Sequence, residues 1–211
     1  MRVLVFSDLH GDRAQLERLM EQEADYYVAA GDLVSWGRGL EAMGAVLRQR
    51  AGRVGVLPGN HEHERDVEAF CTTFGLEALH GRVRDLGNGW ALAGLGHSSP
   101  TPFNTPGEYS EEEFRSRLAA FRGLRADRTL LVCHCPPYGT VLDEAAPGRH
   151  IGSVAIGEFL EEFQPAYFCC GHVHEAWGRT ADLGRTKGIN VGRAGFYVEL
   201  GDVERTESTG A

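Results

Sequence analysis

Three short apolar runs separated by two amphipathic stretches fill residues 2–57 and leave few topologies open. Arg2–Phe6 reads as a strand, and Asp12 then precedes a helical stretch to about residue 23 with Leu16, Leu19 and Met20 on one stripe. Residues 24–30 read as a second strand, 40–50 as a second helix and 53–57 as a third strand. Strands linked by helices pair in parallel through right-handed crossovers, so this βαβαβ opening predicts a parallel sheet.

The middle of the chain is less regular. Glu64–Phe74 reads as a helix, and residues 83–86 and Trp90–Leu95 read as strands joined by a tight Gly87-Asn88-Gly89 turn. A Pro-rich loop covers 98–107, after which Ser110 opens a helix with Glu113 placed as in a capping box. Residues 128–133 read as strand, 153–163 as helix and 166–170 as strand. The segments 176–182, 186–191 and 195–200 read as a closing antiparallel meander. Parallel units first and a meander last imply an α/β fold of two mixed sheets packed together with helices outside. One domain is expected over residues 1–202, with 203–211 a polar, frayed tail.

Composition narrows the class. With 42% hydrophobic and 24% charged residues the chain is globular rather than disordered. No apolar run approaches the ~20 residues that span a bilayer, so no membrane association is expected. The first apolar run meets Ser7-Asp8-Leu9-His10 at once, with no small-residue cleavage site, so it reads as a strand and not as a signal peptide. All five cysteines, Cys71, Cys133, Cys135, Cys169 and Cys170, lack metal-ribbon spacing, and four lie in apolar strand-like segments. They read as free, buried thiols of a reducing compartment, which makes the cytoplasm the expected location. A net charge of -9 disfavours stable binding to long nucleic acid. Self-association is left open.

The chemistry lies where the apolar runs stop. Asp8-Leu9-His10 ends the first, and residues i and i+2 of a strand project to one side, so these two side chains can converge on one ion. Alone, the pair would more readily be a helix cap and a surface histidine. Gly31-Asp32 ends the second run and by itself is a common turn. Gly59-Asn60-His61 ends the third; asparagine is a reasonable oxygen donor for harder ions, and a Gly-Asn turn is an equal alternative. His134 follows an apolar run and precedes Cys135-Pro136-Pro137, and Gly171-His172-Val173-His174 follows another. A lone histidine at such a place is more often a satisfied core residue. Five endings of this kind in succession make that alternative remote, because open α/β sheets bind ligands beyond the carboxyl ends of their strands. Eight ligand-capable groups result: Asp8, His10, Asp32, Asn60, His61, His134, His172 and His174. That is too many for one ion and suits two sharing a carboxylate.

The order D-x-H, G-D, G-N-H, H, G-H-x-H, which spans Asp8 to His174, resembles the calcineurin-like metallophosphoesterase superfamily, and in particular its small bacterial and archaeal phosphoesterases. The resemblance implies a four-layer α/β/β/α sandwich, the metallo-dependent phosphatase-like fold, with two divalent metal ions at the sheet edge. It assigns Asp8, His10, Asp32 and His174 to one ion and Asp32, Asn60, His134 and His172 to the other, with Asp32 bridging. His61 would not bind metal; it would be the catalytic residue that contacts the substrate phosphate and helps protonate the leaving oxygen. Many relatives carry Asp after the G-N-H block where this chain has Glu62, a longer carboxylate that could still orient His61.

The chemistry expected is hydrolysis of phosphate esters by a hydroxide held between the metals, which at a metal can exist near neutral pH. A phosphodiesterase on small or nucleotide-like esters is favoured; the alternatives are a phosphomonoesterase, a protein phosphatase or a non-catalytic metal-binding scaffold of the same fold. Mixed His, Asp and Asn ligation fits manganese, iron, zinc, cobalt or nickel. His97 and Arg149 are candidates for substrate contact, while His63, Arg38 and Arg193 are weaker ones. The 143–153 loop is placed to cover the cleft or to join a subunit contact.

Overall fold

The computed structural model describes residues 1–201; the expected tail at 203–211 and the last residue of the expected domain lie outside the described residues. The chain opens with β1 (Arg2–Phe6), α1 (Arg13–Glu21), β2 (Tyr26–Ala30), α2 (Leu40–Leu47), β3 (Val54–Leu57), α3 (Glu64–Phe74) and a two-residue strand β4 (Glu77–Ala78). β1 to β4 pair in parallel, in sequence order. Every residue of β2 and β3 is buried, as a parallel strand covered on both faces must be, which is why these runs read as uninterrupted apolar stretches.

The second half begins with β5 (Arg82–Gly87) and β6 (Trp90–Leu95), followed by α4 (Glu111–Leu118), β7 (Thr129–Cys133), β8 (Glu144–Ala146) and β9 (Arg149–His150). It ends with α5 (Val154–Phe163), β10 (Tyr167–Cys170), β11 (Thr180–Leu183), β12 (Thr186–Asn190) and β13 (Phe196–Glu199). Six strands form a sheet in the order β11-β12-β10-β7-β6-β5, with antiparallel strands at both edges. The β5–β6 turn has Asn88 and Gly89 at φ 50° and 75°, the left-handed pair that a tight hairpin requires. The Ser110 cap and Glu113 form the expected capping box at α4.

Alternation along the strands builds three apolar layers. Leu4, Phe6 and Tyr27 face α1–α3 with Leu16, Met43 and Phe70. Val3, Val5 and Val28 face the other sheet and meet Leu92, Val132, Cys169 and Ile189. Leu131, Phe168 and Cys170 point the other way, onto Phe114 of α4 and Ile156 and Phe159 of α5. Each fully buried side chain of this size contributes ~1.5–3 kcal/mol. The result is the α/β/β/α sandwich, and all five cysteines are free and buried.

The closing segments depart from the expected meander. β11 and β12 form an antiparallel pair, but β12 runs parallel to β10, and β13 crosses to the first sheet to pair antiparallel with β1. Val198 and Leu200 thereby join Val3 and Val5 between the sheets, a burial that a local hairpin would forgo. The 143–153 loop also contains a small β8–β9 hairpin with no strong sequence signal.

Candidate metal centre

The residues after β1, β2, β3, β7 and β10 meet at one place, stitched together by backbone hydrogen bonds. Asp8 N–H donates to Gly31 O (3.1 Å), His10 N–H to Asp32 O (2.9 Å) and Gly171 N–H to His134 O (3.0 Å). Convergence of Asp8 and His10 does not come from strand alternation, since β1 ends at Phe6. Instead Asp8, His10, Asp32 and His172 all hold left-handed backbone, at φ 58°, 48°, 51° and 67°. Non-glycine residues pay for that conformation, and such strain gathers at functional sites. Glycines permit the close approach: a β-carbon on Gly59 would collide with the Asp32 carboxylate, and one on Gly31 with the His134 ring.

Two overlapping groups of donor atoms result. On the more open side His10 Nε2 lies 3.1 Å from His174 Nε2 and 3.7 Å from Asp32 Oδ2, and His174 Nε2 lies 3.7 Å from Asp8 Oδ1. On the buried side Asn60 Oδ1 lies 3.1 Å from His134 Nε2 and 2.9 Å from His172 Nδ1, while Asp32 Oδ2 is 3.6 Å from His134 Nε2. Asp32 is common to both.

Proton counting tests whether a cation fits. His134 Nδ1 is 2.9 Å from Ala30 O, so that nitrogen carries the proton, an arrangement common for metal-binding histidines. Burial pushes the ring down to about 4, so Nε2 is bare. It faces Asn60 Oδ1, whose orientation is fixed because Asn60 Nδ2 donates to Thr105 Oγ1 at 3.2 Å. Acceptor thus meets acceptor with no proton to share, and a cation is what such a set of nitrogen and oxygen lone pairs accommodates.

The carboxylates give the same indication. Burial raises Asp32 well above the ordinary range, and the Glu62 and Asp8 charges add to it. Burial likewise lifts Glu62 to about 7. For Asp8 burial also pulls upward, but the His174 contact and the His134, His174 and His172 rings outweigh it and hold the group at about 2. Burial lowers His10 to about 4 and His172 to about 3. Contact with Asp8 instead raises His174; the neutral His10, His134 and His172 rings beside crowded carboxylates are ready to receive positive charge.

His61 stands apart from the buried set. Its Nδ1 accepts the Trp36 N–H at 3.3 Å, so Nε2 bears the proton, 4.0 Å from Asp32 Oδ2. Glu62 does not orient this ring. Its carboxylate is 1% exposed and accepts three backbone amides, Gly59 N–H (2.8 Å), Val34 N–H (3.0 Å) and Asp32 N–H (3.1 Å). It therefore ties the loop after β2 to the loop after β3. Asn190 does similar work at the loop after β10, its buried Nδ2 donating to Gly171 O and Leu142 O (3.0 Å each) and Val173 O (3.2 Å). The sequence pointed to Glu62 in another role and did not single out Asn190, although an asparagine ending an apolar run was visible there.

A cavity of about 350 Å³ opens beside these groups, lined by His10, Asp32, Asn60, His61, His172 and His174, by Pro100, Pro102, Phe103, Ile151 and Val173, and by Arg149 and Glu175 among others. Arg149 reaches it from β9. Asp143 anchors that hairpin, accepting Thr140 N–H (2.9 Å), Gly152 N–H (2.9 Å) and the His150 ring (2.8 Å). His97 does not line this cavity. It is buried behind the 58–61 loop, where its N–H and ring Nδ1 bind Pro58 O and Gly59 O, both at 3.0 Å. A left-handed φ of 70° lets it reach both carbonyls. His63 stands at the N-cap position of α3 without a side-chain capping bond, Arg193 pairs with Asp12, and none of His63, Arg193 and Arg38 lines the cavity.

A family model described as calcineurin-like phosphoesterase matches residues 1–176, and the chain belongs to that family. The uncharacterized protein MJ1162 of Methanocaldococcus jannaschii is 32% identical over 206 residues, which cover 94% of this chain and 91% of the relative. The fold is similar to that of TT1561 of Thermus thermophilus, at 17% identity and a TM-score of 0.71 over 92% of this chain and 90% of that one. It is also similar to a dimetal phosphatase from Danio rerio, at 14% identity and a TM-score of 0.60 over 90% and 86% of the two chains. These two likenesses concern the fold. Family membership and the clustered ligand-type groups make the chain a metal-dependent phosphoric ester hydrolase. Among the described residues no helix is long and apolar enough to cross a membrane.

Proposed function

We propose that the chain hydrolyses small phosphodiesters, including nucleotide-like ones, in the cytoplasm, with two divalent cations as cofactors. The observation that carries this reading is the shared position of Asp32 between two sets of converging donor atoms. Asp8, His10, Asp32 and His174 hold one cation, and Asp32, Asn60, His134 and His172 the other. Such ions polarise a phosphoryl oxygen and lower the pKa of water from ~15.7 towards ~7.

The chain's own residues supply the rest. His61, with Nε2 protonated because Trp36 N–H occupies Nδ1, donates a hydrogen bond from Nε2–H to the oxygen that leaves phosphorus and stabilises the charge developing there, while water supplies the proton. Arg149 meets the phosphate or an anionic substituent from the β8–β9 hairpin. The apolar wall of Pro100, Pro102, Phe103, Ile151 and Val173 gives the second substituent of a diester a place. The volume of about 350 Å³ is near the lower end for small-molecule sites, ~300–1,000 Å³, and favours a small ester over a protein segment.

The test is hydrolysis of bis-aryl phosphate, aryl monophosphate and cyclic nucleotides after chelation and re-addition of manganese, iron, zinc, cobalt or nickel. Metal-restored turnover, greatest on diesters, is expected. No metal-restored turnover on any ester refutes the proposal, and faster monoester turnover refutes its diester part.

A further inference from the structure

Among the described residues four aromatic side chains stand in the open, and two of them border the metal centre. Phe103 is 72% exposed and lines the cavity. Trp36 is 49% exposed and sets its ring edge-on to His61, with centroids 5.4 Å apart. Exposed aromatic surface is unfavourable in water, and its concentration at a cleft marks a place for a ligand. Trp36 borders the cavity through His61, which lines it, whereas Tyr138 and Phe196, the other two, neither line the cavity nor pair with a ring that does.

Trp36 is also strained. Its φ of 54° lies in the left-handed region, where a bulky side chain is a genuine outlier. Burial of the ring does not offset that cost, because half the side chain faces solvent. The conformation delivers two things: the N–H that reaches His61 Nδ1 and an indole held beside the same imidazole. Strain, exposure and contact with His61 coincide at one residue, a combination that a bound ligand completes. In the hydrolase reading His61 Nε2–H donates a hydrogen bond to the leaving oxygen, so the group attached to that oxygen lies beside His61 and on the side of Trp36. Phe103, Pro100, Pro102, Ile151 and Val173 form the apolar part of the cavity that His61 also lines.

We propose that Trp36 and Phe103 receive a planar aromatic ring carried by the leaving alcohol, so that the preferred substrates are phosphate esters of alcohols bearing such a ring. The inference rests on the hydrolase reading of the site. Aromatic faces bind planar rings by offset or edge-to-face contact in addition to surface burial, which a saturated ring of equal size does not reproduce.

Benzyl and cyclohexylmethyl phosphate esters separate these cases, since both leave as primary alcohols of similar size. The metal-loaded wild type is expected to prefer the benzyl ester about tenfold in kcat/KM. In Trp36→Asn, which removes the ring and keeps a residue tolerant of left-handed backbone, the preference falls to about twofold or less; Trp36→Phe restores most of it. Benzylphosphonate is expected to quench tryptophan fluorescence in the wild type and not in Trp36→Phe, a binding readout independent of turnover. Hydrolysis of both esters with no benzyl preference, or a preference untouched by Trp36→Asn, overturns the inference and leaves the hydrolase reading standing. No hydrolysis of either ester refutes both.

Discussion

Replacing Glu62 tests how the site is held. Its carboxylate, 1% exposed, is the acceptor for three buried amides on two loops. In Glu62→Gln the side-chain oxygen can keep the Gly59 and Asp32 amides, but the new NH2 group then faces the Val34 N–H, donor against donor. One buried amide left unsatisfied costs ~1–3 kcal/mol. Relief of the repulsion that raises Asp32 offsets part of this, so a net loss of ~1–2 kcal/mol is expected. Glu62→Ala strands all three amides and is expected to lose ~3–6 kcal/mol, a large part of the ~5–15 kcal/mol available to a domain. Urea unfolding of the metal-free chain measures both. With a slope of ~2 kcal/mol/M, Glu62→Gln moves the midpoint down by ~0.5–1 M and Glu62→Ala by at least ~1.5 M. If Glu62 served only to orient His61, Glu62→Gln would lower turnover and leave the midpoint in place. An unchanged midpoint in Glu62→Ala refutes the amide-staple account.

Two further outcomes follow from the same geometry. Burial pushes His10, His80, His97, His134 and His172 down to about 4, 3, 4, 4 and 3, whereas in the unfolded chain each titrates near ~6.5. Below that pH the unfolded state binds more protons, so stability present at neutral pH is lost on acidification; Asp32 and Glu62, raised by burial, act in the opposite sense. Roughly three more protons taken up on unfolding near pH 5 correspond to a loss of ~4 kcal/mol per pH unit, and a urea midpoint in chelator that stays flat or rises from pH 6.5 to 5 contradicts this. Asn190→Ala releases the carbonyls of Leu142, Gly171 and Val173 and is expected to cost ~1–3 kcal/mol and weaken metal binding, by unfolding and metal titration; a change under ~0.5 kcal/mol with unaltered metal affinity refutes an anchoring role.

The sequence disclosed most where local chemistry and tertiary structure coincide. β1 to β3, α1 to α3 and the β5–β6 hairpin were legible because buried parallel strands are continuously apolar, helices show a stripe, and Gly87-Asn88-Gly89 supplies left-handed residues for its turn. The partner of β13 was not legible, because its pairing with β1 joins the two ends of the domain and leaves no periodic trace. At the site, residue types at strand ends pointed to Asp8, Asp32, Asn60, His134 and His172, but the left-handed backbone that turns Asp8 and His10 inward did not show in their identities. His97 looked like a residue for the cleft because it also follows a strand; its left-handed φ turns the ring onto Gly59 O instead. Glu62 and Trp36 act through backbone amides, which carry no sequence signature.

Metal content tests the central claim most directly. Chelated, re-loaded and desalted wild-type chain is expected to hold two divalent ions per molecule by elemental analysis. Asp32→Asn, which removes the carboxylate common to both donor sets, is expected to hold fewer than one, while His61→Ala keeps two and loses turnover. One ion or none in the wild type, or loss of metal in His61→Ala, would contradict a centre of two cations bridged by Asp32 with His61 outside it.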